Sequence, residues 1–129
     1  MTYNFYLSNE TPSKKNSRVT NTKTGRTFPN KRFTQWHASA LKELRPQIIK
    51  AGIKEPINEP IELTLVFIHG DKRRRDSDNG ASSICDLLTD SGLIVDDNYN
   101  IIPVIHIFNR YEKNAARCEI IINDLIGKN

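Results

Sequence analysis

Six aspartates fall within the 22 residues from Asp76 to Asp97: Asp76, Asp78, Asp86, Asp90, Asp96 and Asp97. The stretch, DSDNGASSICDLLTDSGLIVDD, holds no lysine, arginine, glutamate or histidine. Yet the chain has a formal net charge of +4, and four cations, Lys72, Arg73, Arg74 and Arg75, directly precede the stretch. Crowded carboxylates repel one another and resist ionising. A hard divalent cation such as Mg2+ relieves that repulsion, because carboxylate oxygens are its preferred ligands. A cationic run beside an acidic metal pocket suits a polyanionic substrate, so the pattern points to metal-dependent chemistry on nucleic acid.

Each feature also has a plainer reading. Asp76 and Asp78 sit where a strand and loop give way to a helix, and Asp is a favoured N-cap. One aspartate suffices for a cap, and here there are two. Asp96 and Asp97 could form a polar turn with Asn98 and Asn100. DSDNG also resembles the start of a calcium loop, but Gly80 comes one position early and Leu87 stands where the bidentate glutamate belongs. Among the histidines, His37 and His106 fall on apolar patterns that suggest core positions, and His69 ends a strand near the acidic stretch.

The elements that must position these groups can be read from periodicity. Tyr3, Phe5 and Leu7 alternate along a strand at 2–7 with one apolar face. Phe33, Trp36, His37, Ala40, Leu41, Leu44 and Ile48 form a helical stripe from about Asn30 to Ala51, with a kink or restart expected at Pro46. Residues 61–69, IELTLVFIH, are apolar on both faces and predict a strand interior to the sheet. A second helix is expected from about Asp78 to Ser91, with Ala81, Ile84, Cys85 and Leu88 buried and Ser91-Gly92 as its stop. Residues 101–109, IIPVIHIFN, read as a third, well-buried strand, and 115–122 as a fourth. The order β-α-β-α-β-β predicts an α+β fold, a small mixed sheet packed by two helices.

The 129 residues are expected to form a single domain, long enough to bury roughly two thirds of its unfolded surface. Its positive charge is concentrated. Residues 9–32 carry seven cations, Lys14, Lys15, Arg18, Lys23, Arg26, Lys31 and Arg32, against one acid, Glu10. That segment is net +6 and the rest of the chain net −2. It has no periodicity and reads as a basic arm, either solvated or laid along phosphates. Cys85 and Cys118 form no CxxC pair, which argues against zinc and for buried free thiols in a reducing, cytoplasmic setting. No secretory signal or membrane span is expected.

The run RRRDSDN, then CDLL, then SGLIVDDN resembles the core of the RusA family of Holliday-junction resolvases, whose pattern is R-D-x-D-N, a D-x-L helix, then G and a D-D pair. PSKKNSR and GRTFPNKRFTQW are similar to the opening of phage-type members, so the resemblance covers about residues 12–123. It implies a homodimeric, Mg2+-dependent endodeoxyribonuclease, with Mn2+ as a possible substitute, that resolves four-way DNA junctions by paired symmetric nicks in recombination and repair. No organic cofactor or membrane partner is implied. By motif the catalytic carboxylates fall on Asp76, Asp78 and Asp97, with Asp96 joining the metal ligands and Asp86 matching a further acidic position. Arg75 matches a basic position at the DNA. Lys72, Arg73, Arg74, Lys14, Lys15, Arg18, Lys31 and Arg32 are further candidates for DNA contact. One departure stands out: some members carry a lysine four residues after the second aspartate, and here that position is Ser82. The alternative is therefore a weakened or inactive junction-binding protein of the same fold, or a nuclease for other branched DNA.

Overall fold

A computed structural model of the chain describes residues 1–14, 18–20, 23–29 and 31–125. The elements follow in the order β1 (Thr2–Ser8), β2 (Arg18–Thr20), β3 (Thr27–Pro29), α1 (Lys31–Lys50), β4 (Ile61–His69), α2 (Ala81–Asp90), β5 (Val104–Tyr111) and β6 (Arg117–Asp124). Four strands make one mixed sheet in the order β1-β6-β4-β5. β6 runs antiparallel to both β1 and β4, whereas β5 runs parallel to β4. This is the expected α+β arrangement with two helices, plus a short β2–β3 pair within the basic arm.

The core lies on one face of the sheet. Alternate residues of β1, β6 and β4 (Phe5 and Leu7; Cys118, Ile120 and Ile122; Ile61, Leu63, Leu65 and Phe67) meet the stripe of α1 and the apolar side of α2. From α1 come Phe33, Trp36, Ala40, Leu44 and Ile48, and from α2 Ile84, Leu87 and Leu88. Val66 and Ile68 are buried as well but stand outside this cluster, as expected for alternating residues of a strand flanked on both sides. α1 runs through Pro46 without restarting. The proline removes one backbone donor, and burial of Leu44 and Ile48 on either side of it keeps the helix on the sheet.

Two expectations need correcting. β5 is not well buried: it is the edge strand, and Ile105 and Phe108 are 41% and 52% exposed. His106 lies on that edge, exposed, with Nε2 2.9 Å from Oε2 of Glu62. An apolar run looks alike at the centre and at the edge of a sheet, because strand order depends on pairings far away in sequence. No helix among the described residues is long and apolar enough to cross a membrane.

Candidate active site

The turn that carries Asp76 and Asp78 lies between the end of β4 and the start of α2. Two local hydrogen bonds shape it, Asn79 N–H to the Asp76 carbonyl and Ala81 N–H to the Asp78 carbonyl, both 3.1 Å. The N-cap of α2 is Gly80, which offers no side-chain cap. A Cβ at Gly80 would stand 2.7 Å from Cε1 of Phe67 and 3.1 Å from Cγ2 of Thr11, so a residue without a side chain is needed for this close approach. In the first turn of the helix, buried Ser83 donates from Oγ to the Pro12 carbonyl at 2.6 Å. The start of α2 is thus clamped between β4 and the segment 11–13.

The capping reading of the aspartates fails on this geometry. Neither the Asp76 nor the Asp78 carboxylate meets a hydrogen-bond or ion-pair partner among the described residues, and both residues are exposed. They line a cavity of about 330 Å³ with Ser13, Asn79, Ala81 and Ser82, and with Ile105 and Ile107 of β5. Asp76 also lines a second cavity, of about 380 Å³, with Lys72, Arg73, Arg75, Arg110, Tyr111 and His69 among its walls. A carboxylate pocket and a cationic pocket therefore meet at one aspartate.

The cations are not equivalent. Arg75 is largely buried, and its guanidinium donates to Glu10 at 3.1 Å and to Asp71 at 2.9 Å. The Arg73 backbone N–H and then the Arg75 guanidinium hold the Asp71 carboxyl below the usual carboxylate range. Lys72 places its Nζ 5.1 Å from the centre of the Tyr111 ring, a cation–π contact. Arg73 is exposed at the rim, and Arg74 is exposed but lines neither cavity. Arg110 joins the pocket although the sequence did not single it out. The parallel register sets it beside Ile68, near the end of β4, and no local motif signals that.

The remaining candidates are scattered. Asp96 turns its carboxylate onto its own loop, accepting from the Asp97 N–H at 2.7 Å and from Nδ2 of Asn98 at 3.0 Å. The loop is anchored from behind: Gly92 takes the left-handed conformation (φ +80°) that ends α2, and Ile57 and Ile94 form a parallel bridge. Asp97 lines neither cavity, and its carboxylate has no hydrogen-bond or ion-pair partner among the described residues. It lies near Cys85, three residues along α2 from Ser82. Burial pushes the Cys85 thiol up to about 11, and Asp97 and then Asp86 add to the shift. Lys14 pairs with Asp86 at 3.1 Å. Lys31 and Arg32 are exposed on the first turn of α1, Arg18 is in β2, and Lys15 lies outside the described residues.

Among the described residues, one group of three potential metal ligands has its ligand atoms within 4.8 Å of one another: His37, Asp86 and Asp90, between α1 and α2. His37 Nε2 lies 2.9 Å from Oδ2 of Asp90. With Lys14 on Asp86, both carboxylates of that cluster already have side-chain partners.

Residues 10–123 match the family described as endodeoxyribonuclease RusA. A protein of Aquifex aeolicus (strain VF5) described as crossover junction endodeoxyribonuclease RusA is 34% identical over 108 residues, 84% of this chain and 80% of that one. The chain belongs to the RusA family. It is a junction-resolving DNA endonuclease that hydrolyses phosphodiester bonds, as the resemblance implied. Resolving nucleases of this kind use divalent metal ions, and the unpartnered Asp76 and Asp78 are hard oxygen donors that suit one. Ser82 lines the same cavity, so that position supplies no cation to the site.

Proposed function

We propose that this RusA-family enzyme uses Mg2+, which Asp76 and Asp78 would hold with Asp97 and Asp96 as further candidate ligands, to nick four-way junctions in symmetric pairs. The observation that carries the reading is the meeting of the two cavities at Asp76: bare carboxylates on one side, Lys72, Arg73 and Arg110 on the other. Bound Mg2+ would supply charge neutralisation for the pentacovalent phosphate and an acidified water. The protein's own part is to hold the carboxylates apart from competing cations and to grip the phosphates flanking the cut. Lys72, Arg73 and Arg110 are the nearest groups for the latter, and they take over the electrostatic work for which Ser82 has no charge. Lys14, Lys15, Arg18, Lys31, Arg32 and Arg74 extend the phosphate contacts beyond the pocket. Such contacts give affinity with little sequence information.

A four-way junction is nearly two-fold symmetric, so paired nicks call for two copies of the site in a C2 homodimer. Phe108, exposed on the edge strand β5 and outside both cavities, supports the presence of such a partner. The two free cysteines fit a reducing, cytoplasmic setting.

The test is a labelled four-way junction incubated with the protein in Mg2+ or EDTA, beside Asp78→Asn. Paired nicks that need Mg2+ and vanish in the variant are expected. The second reading, a junction-binding protein without turnover, is favoured by Ser82 alone. It would be established by tight junction binding with no nicks in either Mg2+ or Mn2+.

A further inference from the structure

His69, the last residue of β4, is held at both ring nitrogens. Nδ1 lies 2.6 Å from Oε2 of Glu10, and Nε2 lies 2.8 Å from Oδ1 of Asn109 on β5. Asn109 donates from Nδ2 to the Ser77 carbonyl at 2.7 Å. A carbonyl oxygen can only accept, so the amide must turn its NH2 end to Ser77 and its oxygen to His69. Nε2 therefore has to carry a proton. Nδ1 faces a carboxylate group that also accepts from Arg75 at 3.1 Å. Both ring nitrogens are thereby engaged. The ring also stacks on Phe67, at 6.5 Å and 18°, the same ring against which Gly80 closes.

Ser77 is the residue between Asp76 and Asp78. The carbonyls of those two aspartates are held by bonds within the turn itself, which fix its shape but not its place on the sheet. The bond from Asn109, 32 residues away, is the one long-range hydrogen bond to this turn among the described residues. Glu10, His69, Asn109 and Ser77 thus form a continuous relay from the start of the basic arm to the middle of the carboxylate pair.

We infer that His69 and Asn109 are positioning residues for cleavage: through the Ser77 carbonyl they set where the Asp76 and Asp78 carboxylates stand relative to the phosphate. The inference rests on the reading of those aspartates as the metal-holding pair. A shift of about 1 Å in such a pair costs on the order of a hundredfold in rate. Asn109→Ala removes the donor to Ser77, and His69→Ala releases the amide that makes it.

The experiment measures junction affinity in EDTA and the cleavage rate at saturating junction across a Mg2+ series, for the wild type, both single variants, the double variant and Asp78→Asn. A positioning role lowers the saturating rate by roughly ten- to a hundredfold, raises the Mg2+ needed for half-maximal rate and leaves junction affinity unchanged. The double variant is then no slower than the slower single, because both changes break one relay. Weaker junction binding with an unchanged saturating rate would make the two residues DNA contacts and overturn the inference. So would cleavage within about twofold of wild type while Asp78→Asn is inactive. Cleavage that survives in Asp78→Asn would instead remove the carboxylate reading, and the inference with it. If the alanine variants melt below the assay temperature, His69→Gln, which can reach only one of the two partners, carries the same measurement.

Discussion

Around α2 the chain keeps carboxylates in two opposite settings. Along the seam with α1, Asp86 and Asp90 are met by Lys14 at 3.1 Å and His37 at 2.9 Å. On the turn before the helix, the Asp76 and Asp78 carboxylates have no hydrogen-bond or ion-pair partner among the described residues, although Arg75 and Arg73 are their near neighbours in sequence. Those two arginines are drawn away, Arg75 inward to Glu10 and Asp71, Arg73 towards Asp71. Paired carboxylates tie two helices together. Bare ones leave their lone pairs open to a ligand from outside. Clustering of ligand atoms alone points to the seam, whereas the function proposed above rests on the bare pair.

The sharpest way to break this contrast is to neutralise one member of each set. Asp78→Asn should lower single-turnover cleavage of a labelled junction by about two to three orders of magnitude. The melting temperature should be unchanged or higher without metal, and Mg2+ should raise it less than in the wild type. If Asp78→Asn cuts at the wild-type rate, the contrast has no functional meaning.

Gly80→Ala asks whether the bare pair depends on its backing. The added methyl would enter the space of Phe67, a core residue that cannot swing aside, so a loss of roughly 1–3 kcal/mol in urea unfolding is expected, with slower cleavage. At the seam, Asp90→Asn should cost only about 0.2–1 kcal/mol and leave cleavage within about twofold, since half-exposed pairs contribute little. A large loss of cleavage there would mean that the seam, not the turn, holds the ion.

The smallest effect concerns the thiols behind the site. Burial raises Cys85 to about 11 and Cys118 to about 12 from an ordinary 9.0. Above pH 9 the unfolded chain loses these protons first, so the folded state binds more protons. Stability should therefore fall as pH rises from about 9 through 11 and 12. At pH 8 both thiols should react slowly with iodoacetamide in the native protein and rapidly in urea.

Much of this was legible in the sequence. β4 was expected at its observed bounds, 61–69, because a strand apolar on both faces stands out. The stripe of α1 and the alternation of β1 and β6 were equally plain, as each reports a single buried face. Asp76 and Asp78 could be singled out as candidates because spacing along one turn is a local property. The rest depended on distant pairings. Arg110 and Asn109 reach the site only through the parallel register of β4 and β5, and the edge position of β5 follows from β6 taking the other side of β4. The relay through Glu10 escaped notice for the same reason: Glu10 and His69 are 59 residues apart.

The pairing of β1 with β6 has a consequence for how the molecule comes into being. Thr2 bonds to Asn123, 121 positions further along the chain. During synthesis β1 emerges long before β6, the strand that fills the gap between it and β4. The sheet cannot close by growing outward from a hairpin. It closes in the middle and late, so folding should be slow for a chain of this size, and a ribosome stalled before β6 should hold a nascent chain that is an easy target for proteases and chaperones.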